Sequence, residues 1–219
     1  MSEFTSTCYA ILATPRSGSS VLAGVVHNLG ISMGKELMPP CDHNEKGFYE
    51  DMDFIDMHRV MYGTIPYLFD NPEVRNIDQV KPAYTNLIRK RCTQKVWGIK
   101  DPRMVFLLQE FMGNLTKTCR IKIISSARPI NKSAESMRKV LRLDEKRASE
   151  IIGRYEVARL NALKWVKENG IPNIIVNYED LMADPKKVIG QVAEFCEVTD
   201  PVKIEAANLT IDKTLWHNK

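Results

Sequence analysis

The chain has no C-x-x-C pair. Its five cysteines (Cys8, Cys41, Cys92, Cys119, Cys196) are odd in number and scattered. That predicts reduced thiols in a cytoplasmic compartment and argues against a disulfide framework or a zinc site. The four histidines, His27, His43, His58 and His217, show no metal-ligand spacing. No apolar run approaches a membrane span, and residues 1–15 carry no basic segment followed by a long apolar one, so neither a span nor a secretory signal is expected. Sequons starting at Asn114, Asn131 and Asn208 then read as chance matches. The net charge of +4 suits an anionic ligand but falls short of a nucleic-acid-binding signature. Internal repeats, low-complexity tracts and linkers are also missing, and 44% hydrophobic with 26% charged residues is ordinary for a globular chain. The 219 residues therefore read as a single domain over 1–219, long enough for a full core.

What is present alternates. The apolar run Cys8-Tyr9-Ala10-Ile11-Leu12 precedes a small-residue turn, Ala13-Thr14-Pro15-Arg16-Ser17-Gly18-Ser19-Ser20. Helical spacing follows in Val21, Leu22, Val25, Val26 and Leu29, closed by Gly30 as a C′ glycine. Residues 31–50 are irregular and acid-rich, and helices are expected over 51–63 and 77–92. Arg89-Lys90-Arg91 reads as a C-terminal charge cluster on a solvated face, and His27 as an exposed residue of the first helix. Strands are expected at Val96–Ile99, at Ile121–Ala127 and through Ile174-Ile175-Val176. Between and after them lie a helical stripe at Val105, Leu108, Phe111 and Met112, and helices over 131–141 and 147–168. A last helix, carrying Val188, Ile189, Val192 and Phe195, starts at an Asp184-Pro185 cap. Strands alternating with helices imply βαβ units: an α/β three-layer sandwich around a parallel sheet of about four to five strands.

Ligands on such sheets sit at the C-terminal ends of the strands. Those ends are Thr14–Ser20, Lys100–Arg103, Arg128 onward, and Asn177–Asp180, and three of the four carry cations. The first is a strand–loop–helix turn whose N–H groups converge where the helix dipole favours an anion. Gly18 permits close backbone approach, Arg16 adds charge, and Ser17, Ser19 and Ser20 add hydroxyls. The same turn also reads as an ordinary βα connection with a serine cap. Arg128 opens the third, with Ser133 and Ser136 placed to share a second anion, for which a phosphate is the natural fit.

Two anion sites on one edge suit a nucleotide with phosphates at both its 3′ and 5′ ends. Here the chain resembles the sulfotransferases that use 3′-phosphoadenosine 5′-phosphosulfate (PAPS). Thr14-Pro15-Arg16-Ser17-Gly18-Ser19-Ser20 is similar to the family's 5′-phosphosulfate loop, P-R/K-S-G-S/T-S/T. Arg128 with Ser136 resembles its 3′-phosphate motif, and Tyr178-Glu179-Asp180-Leu181 with Pro185 resembles its Y-E-D-L-x-x-x-P signature. Asn44–Asp51 and Trp97–Arg103 look like segments of small bacterial-type members, so the likeness runs in order from about residue 8 to residue 187. It implies a P-loop-like fold and in-line sulfuryl transfer from PAPS, without a metal, to a hydroxyl or amine of a small-molecule, glycan or lipid acceptor. Pro15 to Ser20, Arg128 and Ser136 are then the cofactor-binding candidates.

There are departures. The histidine base of the cytosolic branch has no counterpart after Lys100, where Asp101 and Pro102 stand, so the resemblance implies a carboxylate base. Glu50 is the first candidate, with Glu36, Glu45 and Asp101 as alternates, each of which also reads as a solvated or capping acid. Lys100 and Arg16 are the candidates for stabilising charge on the transferred group. The family's C-terminal R-K-G segment is missing too. Two other readings remain: a nucleotide-binding protein without transferase activity, and a P-loop nucleotide kinase. The kinase lacks support in the loop itself, because Gly18 is followed by Ser19 where G-x-x-x-x-G-K-S/T needs a lysine.

Overall fold

The run at 8–12 is apolar on both of its faces, and only a strand covered on both sides can bury such a run. In the computed structural model, which describes residues 5–42, 44–62 and 77–212, it becomes β1 (Thr7–Ala13), an inner strand of a four-stranded parallel sheet. Its partners are β2 (Val96–Lys100) and β3 (Arg120–Ala127), and β4 (Asn173–Asn177) pairs with β3, giving the order β2-β1-β3-β4. His43, His217, residue 63 and the side chain of Phe111, named above, lie outside the described residues.

Alternate residues feed two cores, as the period of a strand requires. Cys8, Ala10, Leu12, Trp97, Ile99, Ile121 and Ile123 face one side. There they meet helices α2 (Met52–Tyr62), α3 (Ile77–Arg91), α4 (Met104–Thr118), α5 (Ile130–Leu141) and α6 (Glu145–Glu168). Tyr9, Ile11, Ile124 and Val176 face the other side, against α1 (Ser19–Asn28), α7 (Tyr178–Ala183), α8 (Pro185–Phe195) and α9 (Pro201–Asn208). The result is the expected three-layer α/β sandwich. Helices α7 and α9 are additions to the sequence reading. The first has only six residues, too few to show a period; the second opens on Asp200-Pro201, where Asp200 accepts from the Val202 N–H.

Register sets the ligand edge. Ile11 pairs with both Lys100 and Ile124, and Ala13 pairs with Ser126, so β1, β2 and β3 deliver their C-terminal ends side by side. Gly30, with φ +93°, closes α1 through Gly30 N–H to His27 O and Ile31 N–H to Val26 O. Asp184 caps α8 at the Lys187 N–H.

Two expectations are corrected. Arg89 and Lys90 are exposed, but Arg91 is buried and donates to Asp51 and, at 2.8 Å, to Asp53. The last turn of α3 is therefore tied to the first turn of α2 instead of ending in solvent. His27 is half-buried, its ring centroid 5.5 Å from that of Tyr49, and burial pushes its pKa down.

Candidate functional site

The loop between β1 and α1 is held from outside by its own carbonyls. Ser126 Oγ donates to Ser17 O at 2.7 Å, while Arg128 and Ser133 donate to Arg16 O at 3.2 and 3.5 Å. Thr14 Oγ1 donates to Glu156 Oε2 at 2.7 Å, tying the loop's first residue to α6. With those carbonyls taken up by β3 and α5, the first turn of α1 keeps N–H groups that have no partner within the helix. Gly18 sits at φ +83°, and a Cβ there would lie 2.0 Å from the ring of Tyr178. Only glycine meets both demands.

Tyr178 in turn carries the Arg128 guanidinium 4.6 Å from its ring centroid, a cation–π contact that orients Arg128 at the edge. Arg128 also meets Glu179 at 3.3 Å, and Glu179 meets Lys132 at 3.4 Å. Arg16, at φ +64°, donates from Nε to Ser136 Oγ at 3.2 Å. Among the described residues no carboxylate pairs with it. Burial and the like charge of Arg128 both push its pKa down. Ser17 is buried, and among the described residues its Oγ has no hydrogen-bond partner.

Two cavities meet at this loop. The first, of about 160 Å³, lies between Arg16, Gly18, Ser19 and Ser20 on one side and Arg128, Ser136 and Tyr178 on the other, with Asp42, Asn44, Glu45 and Lys46 at its margin. The second, of about 240 Å³, lies beyond the loop toward α2 and β2, and Pro15, Met38, Phe48, Ile55, Pro102 and Tyr155 give it a mostly apolar wall. Arg16, Ser19 and Ser20 border both.

The acidic candidates separate sharply. Residues 31–50 fold back on themselves: Leu37 bridges Asp51, Met38 N donates to Glu50 O at 2.7 Å, and Met52 N donates to Glu36 O at 2.8 Å. That excursion turns Glu50 inward and Glu36 outward. Glu36 is exposed and borders neither cavity, and Glu45 is exposed at the margin of the first. Glu50 is buried in the second, with Oε1 2.5 Å from Lys100 Nζ. Lys100 also reaches Phe48 O at 3.2 Å and Ser20 Oγ at 3.3 Å, so it links the base of the second cavity to the anion loop. Burial raises the Glu50 pKa, and the Asp101 charge adds to that against the pull of Lys100 and Arg103.

Asp101 is fully committed. It accepts from His58 Nδ1 at 2.7 Å, from the Arg103 backbone N–H at 2.9 Å, and from Arg103 Nε and a terminal guanidinium nitrogen. Burial pushes its carboxyl up, but the Arg103 and His58 partners outweigh burial and hold it well below the ordinary carboxylate range. Asp101 does follow a strand end, the place for a metal-holding acid in a nucleoside triphosphatase, yet its oxygens face these donors.

His58 is the residue the sequence reading passed over. It lies fully buried on α2, with Nε2 3.3 Å from Tyr84 Oη, and burial drives its pKa down. A histidine among the apolar positions Phe54, Ile55 and Met61 was the available signal, since a buried polar ring needs a partner. Tyr178 and Glu156 were likewise present in the sequence without an assigned role.

No protein-family model matches the sequence, and no curated protein matches it significantly. Solved structures do match in fold. The sulfotransferase STF9 from Mycobacterium avium superposes with a TM-score of 0.53 at 14% identity, over 94% of this chain and 67% of that one. The sulfotransferase domain of the Synechococcus PCC 7002 olefin synthase gives 0.52 at 18% identity, over 100% and 85%. The sulfotransferase domain from the curacin biosynthetic pathway gives 0.53 at 18% identity, over 98% and 90%. The chain has the fold of bacterial-type sulfotransferases.

Proposed function

We propose that the protein transfers the sulfuryl group of PAPS to a hydroxyl or amine of an acceptor. One observation carries this reading: a half-buried arginine, without a carboxylate partner among the described residues, stands between two cavities, and the second is lined by the Glu50–Lys100 carboxylate–ammonium pair. The residues of the first cavity fit a nucleotide bisphosphate end. Arg16, Arg128, Ser19, Ser20 and Ser136 are donors around a loop whose Arg16 and Ser17 carbonyls are taken up elsewhere, and the Gly18 position leaves room for backbone approach only. Arg128 and Ser136 would hold the 3′-phosphate, and Pro15 to Ser20 the 5′-phosphosulfate.

The bound nucleotide supplies the sulfuryl group, its S–O bond to phosphate breaking as the S–O bond to the acceptor forms and adenosine 3′,5′-bisphosphate leaves. The chain's part is to position the reactants and offset charge. Glu50 takes the acceptor proton. Its raised pKa makes it a stronger base than an exposed carboxylate, and its place in the second cavity sets it beside an acceptor held there. Lys100 keeps Glu50 ionised and, through Ser20, sits close enough to the loop to offset negative charge on the leaving phosphate. The apolar wall keeps water from competing for the sulfuryl group.

Asp101 serves as scaffold on this reading. The five cysteines are free, which fits a reducing, cytoplasmic setting. Among the described residues no helix is long and apolar enough to cross a membrane.

The test is binding followed by turnover. Adenosine 3′,5′-bisphosphate should bind without magnesium while ATP does not, and radiolabelled sulfate should pass from PAPS to a member of a hydroxyl and amine panel. Tight ATP binding that needs magnesium would overturn the reading in favour of a kinase. Bisphosphate binding with no transfer across the panel would leave a nucleotide-binding protein.

A further inference from the structure

Resting on that reading, we infer that the acceptor is a compact, mostly apolar alcohol or phenol with a single reactive hydroxyl, and not a glycan. Three features of the second cavity carry this. The first is size. A dry apolar cavity of roughly 150 Å³ holds benzene, so the 240 Å³ here takes one ring with a short side chain, roughly ten non-hydrogen atoms.

The second is the wall. Met38, Phe48, Ile55 and Pro102 present carbon to the occupant. A sugar of similar size brings a hydroxyl on nearly every carbon, and each one buried against such a wall without a partner weakens binding. An apolar ring gains from the same contacts.

The third is the state of the charges. Lys100 is committed to Glu50, Ser20 and Phe48 O, and two nitrogens of Arg103 are committed to Asp101. Arg59, at the rim, donates to Asp56 at 2.9 Å. Arg103 Nη1 is buried and has no hydrogen-bond partner among the described residues, and Arg16, which also borders this cavity, is taken on the proposed reading by the nucleotide, so the cations left to the acceptor are paired ones. The polar function left at the base is one carboxylate, matched to one hydroxyl.

The first cavity shows the contrast within the same molecule. It shares Arg16, Ser19 and Ser20 with the second and adds Arg128, Ser136, Asn44 and Lys46, as a polar ligand requires.

The experiment is a calorimetric titration of the protein with 4-ethylphenol and, separately, with methyl β-glucoside, each with and without saturating adenosine 3′,5′-bisphosphate. 4-Ethylphenol should bind about tenfold or more tightly than the glucoside, a difference of about 1.4 kcal/mol. Met38→Trp, which fills the cavity from a half-buried position, should weaken the phenol by about tenfold or more while leaving the bisphosphate affinity within about threefold. Phe48→Ala, which removes wall instead of adding bulk, should weaken the phenol in the same direction. Glucoside binding equal to or tighter than phenol binding overturns the inference, and so does phenol affinity that neither variant changes. If the bisphosphate itself fails to bind, the transferase reading falls instead, and the titration without nucleotide still reports on the cavity.

Discussion

Lys100 and Asp101 are neighbours at the end of β2, and each anchors a buried ion pair, yet the two pairs differ in every respect that matters for chemistry. Both acids border the second cavity, but the Glu50 carboxylate has one cation and has its pKa raised. The Asp101 carboxylate accepts from a histidine ring, a backbone N–H and two guanidinium nitrogens, and its pKa is lowered. Burial acts on both acids in the same direction. The number of donors decides the outcome: a singly paired buried acid stays a usable base, whereas a saturated one becomes structure.

Exchanging each acid for its amide should break this comparison most visibly. Glu50→Gln should lower turnover by about a hundredfold or more, the usual size of a lost general base, with bisphosphate affinity and the urea midpoint little changed. Asp101→Asn should do the opposite, leaving Arg103 buried without its counter-charge and costing about 3 kcal/mol or more in urea unfolding. If Asp101→Asn unfolds like wild type and loses turnover, the roles assigned here are reversed.

Arg16→Ala comes next. It removes the cation common to both cavities, and a charge-assisted contact of about 1.5–3 kcal/mol corresponds to roughly ten- to a hundredfold weaker bisphosphate binding. An unchanged affinity by calorimetry would mean that the anion sits elsewhere.

Much of the edge was legible in the sequence because local rules fix it. The run at 8–12 specifies a covered strand, Pro185 after Asp184 specifies a helix start, and the glycine and serines after β1 specify a tight turn into a helix. The pairings across the edge were not legible. Which of Glu36, Glu45, Glu50 and Asp101 turns inward depends on how residues 31–50 fold back on α2, and the spacing of those residues carries no such information. His58 and Asp101 lie far apart in the chain, joined only by the packing of α2 against β2. Gly18 shows the same limit: the turn explains its φ, but its need for zero side-chain volume comes from Tyr178, a residue brought in from the end of β4.

A subtler change sharpens the Glu50 side. Lys100→Met removes the positive charge that pulls the Glu50 pKa down, so Glu50 should titrate higher still. On the proposed reading, activity requires the carboxylate form and falls as pH drops through that pKa. The acid limb of kcat/KM should therefore lie above the ordinary glutamate value of 4.5 in wild type and move further up in the variant. A limb that stays in place would disconnect Lys100 from the base.

The smallest effect belongs to the Asp101 side and is read in stability. His58 is held neutral by burial, with a folded pKa below the ordinary 6.5. As pH falls below about 6.5 the unfolded chain takes up a proton that the folded chain refuses, so stability is full above that pH and lost below it. The slope is at most about 1.4 kcal/mol per pH unit, and it ends at the folded pKa. Half-buried His27 acts with the same sign, while Glu50, with its raised pKa, acts with the opposite sign at lower pH. Both cancel when the urea stability of His58→Gln is subtracted from that of wild type across pH 5 to 7. The difference should shrink steadily as pH drops, because the variant no longer has the proton uptake that penalises the wild-type fold. A difference that grows as pH drops would mean that His58 carries its proton in the folded protein, and that Asp101 is held by two cations instead of by one cation and a neutral ring.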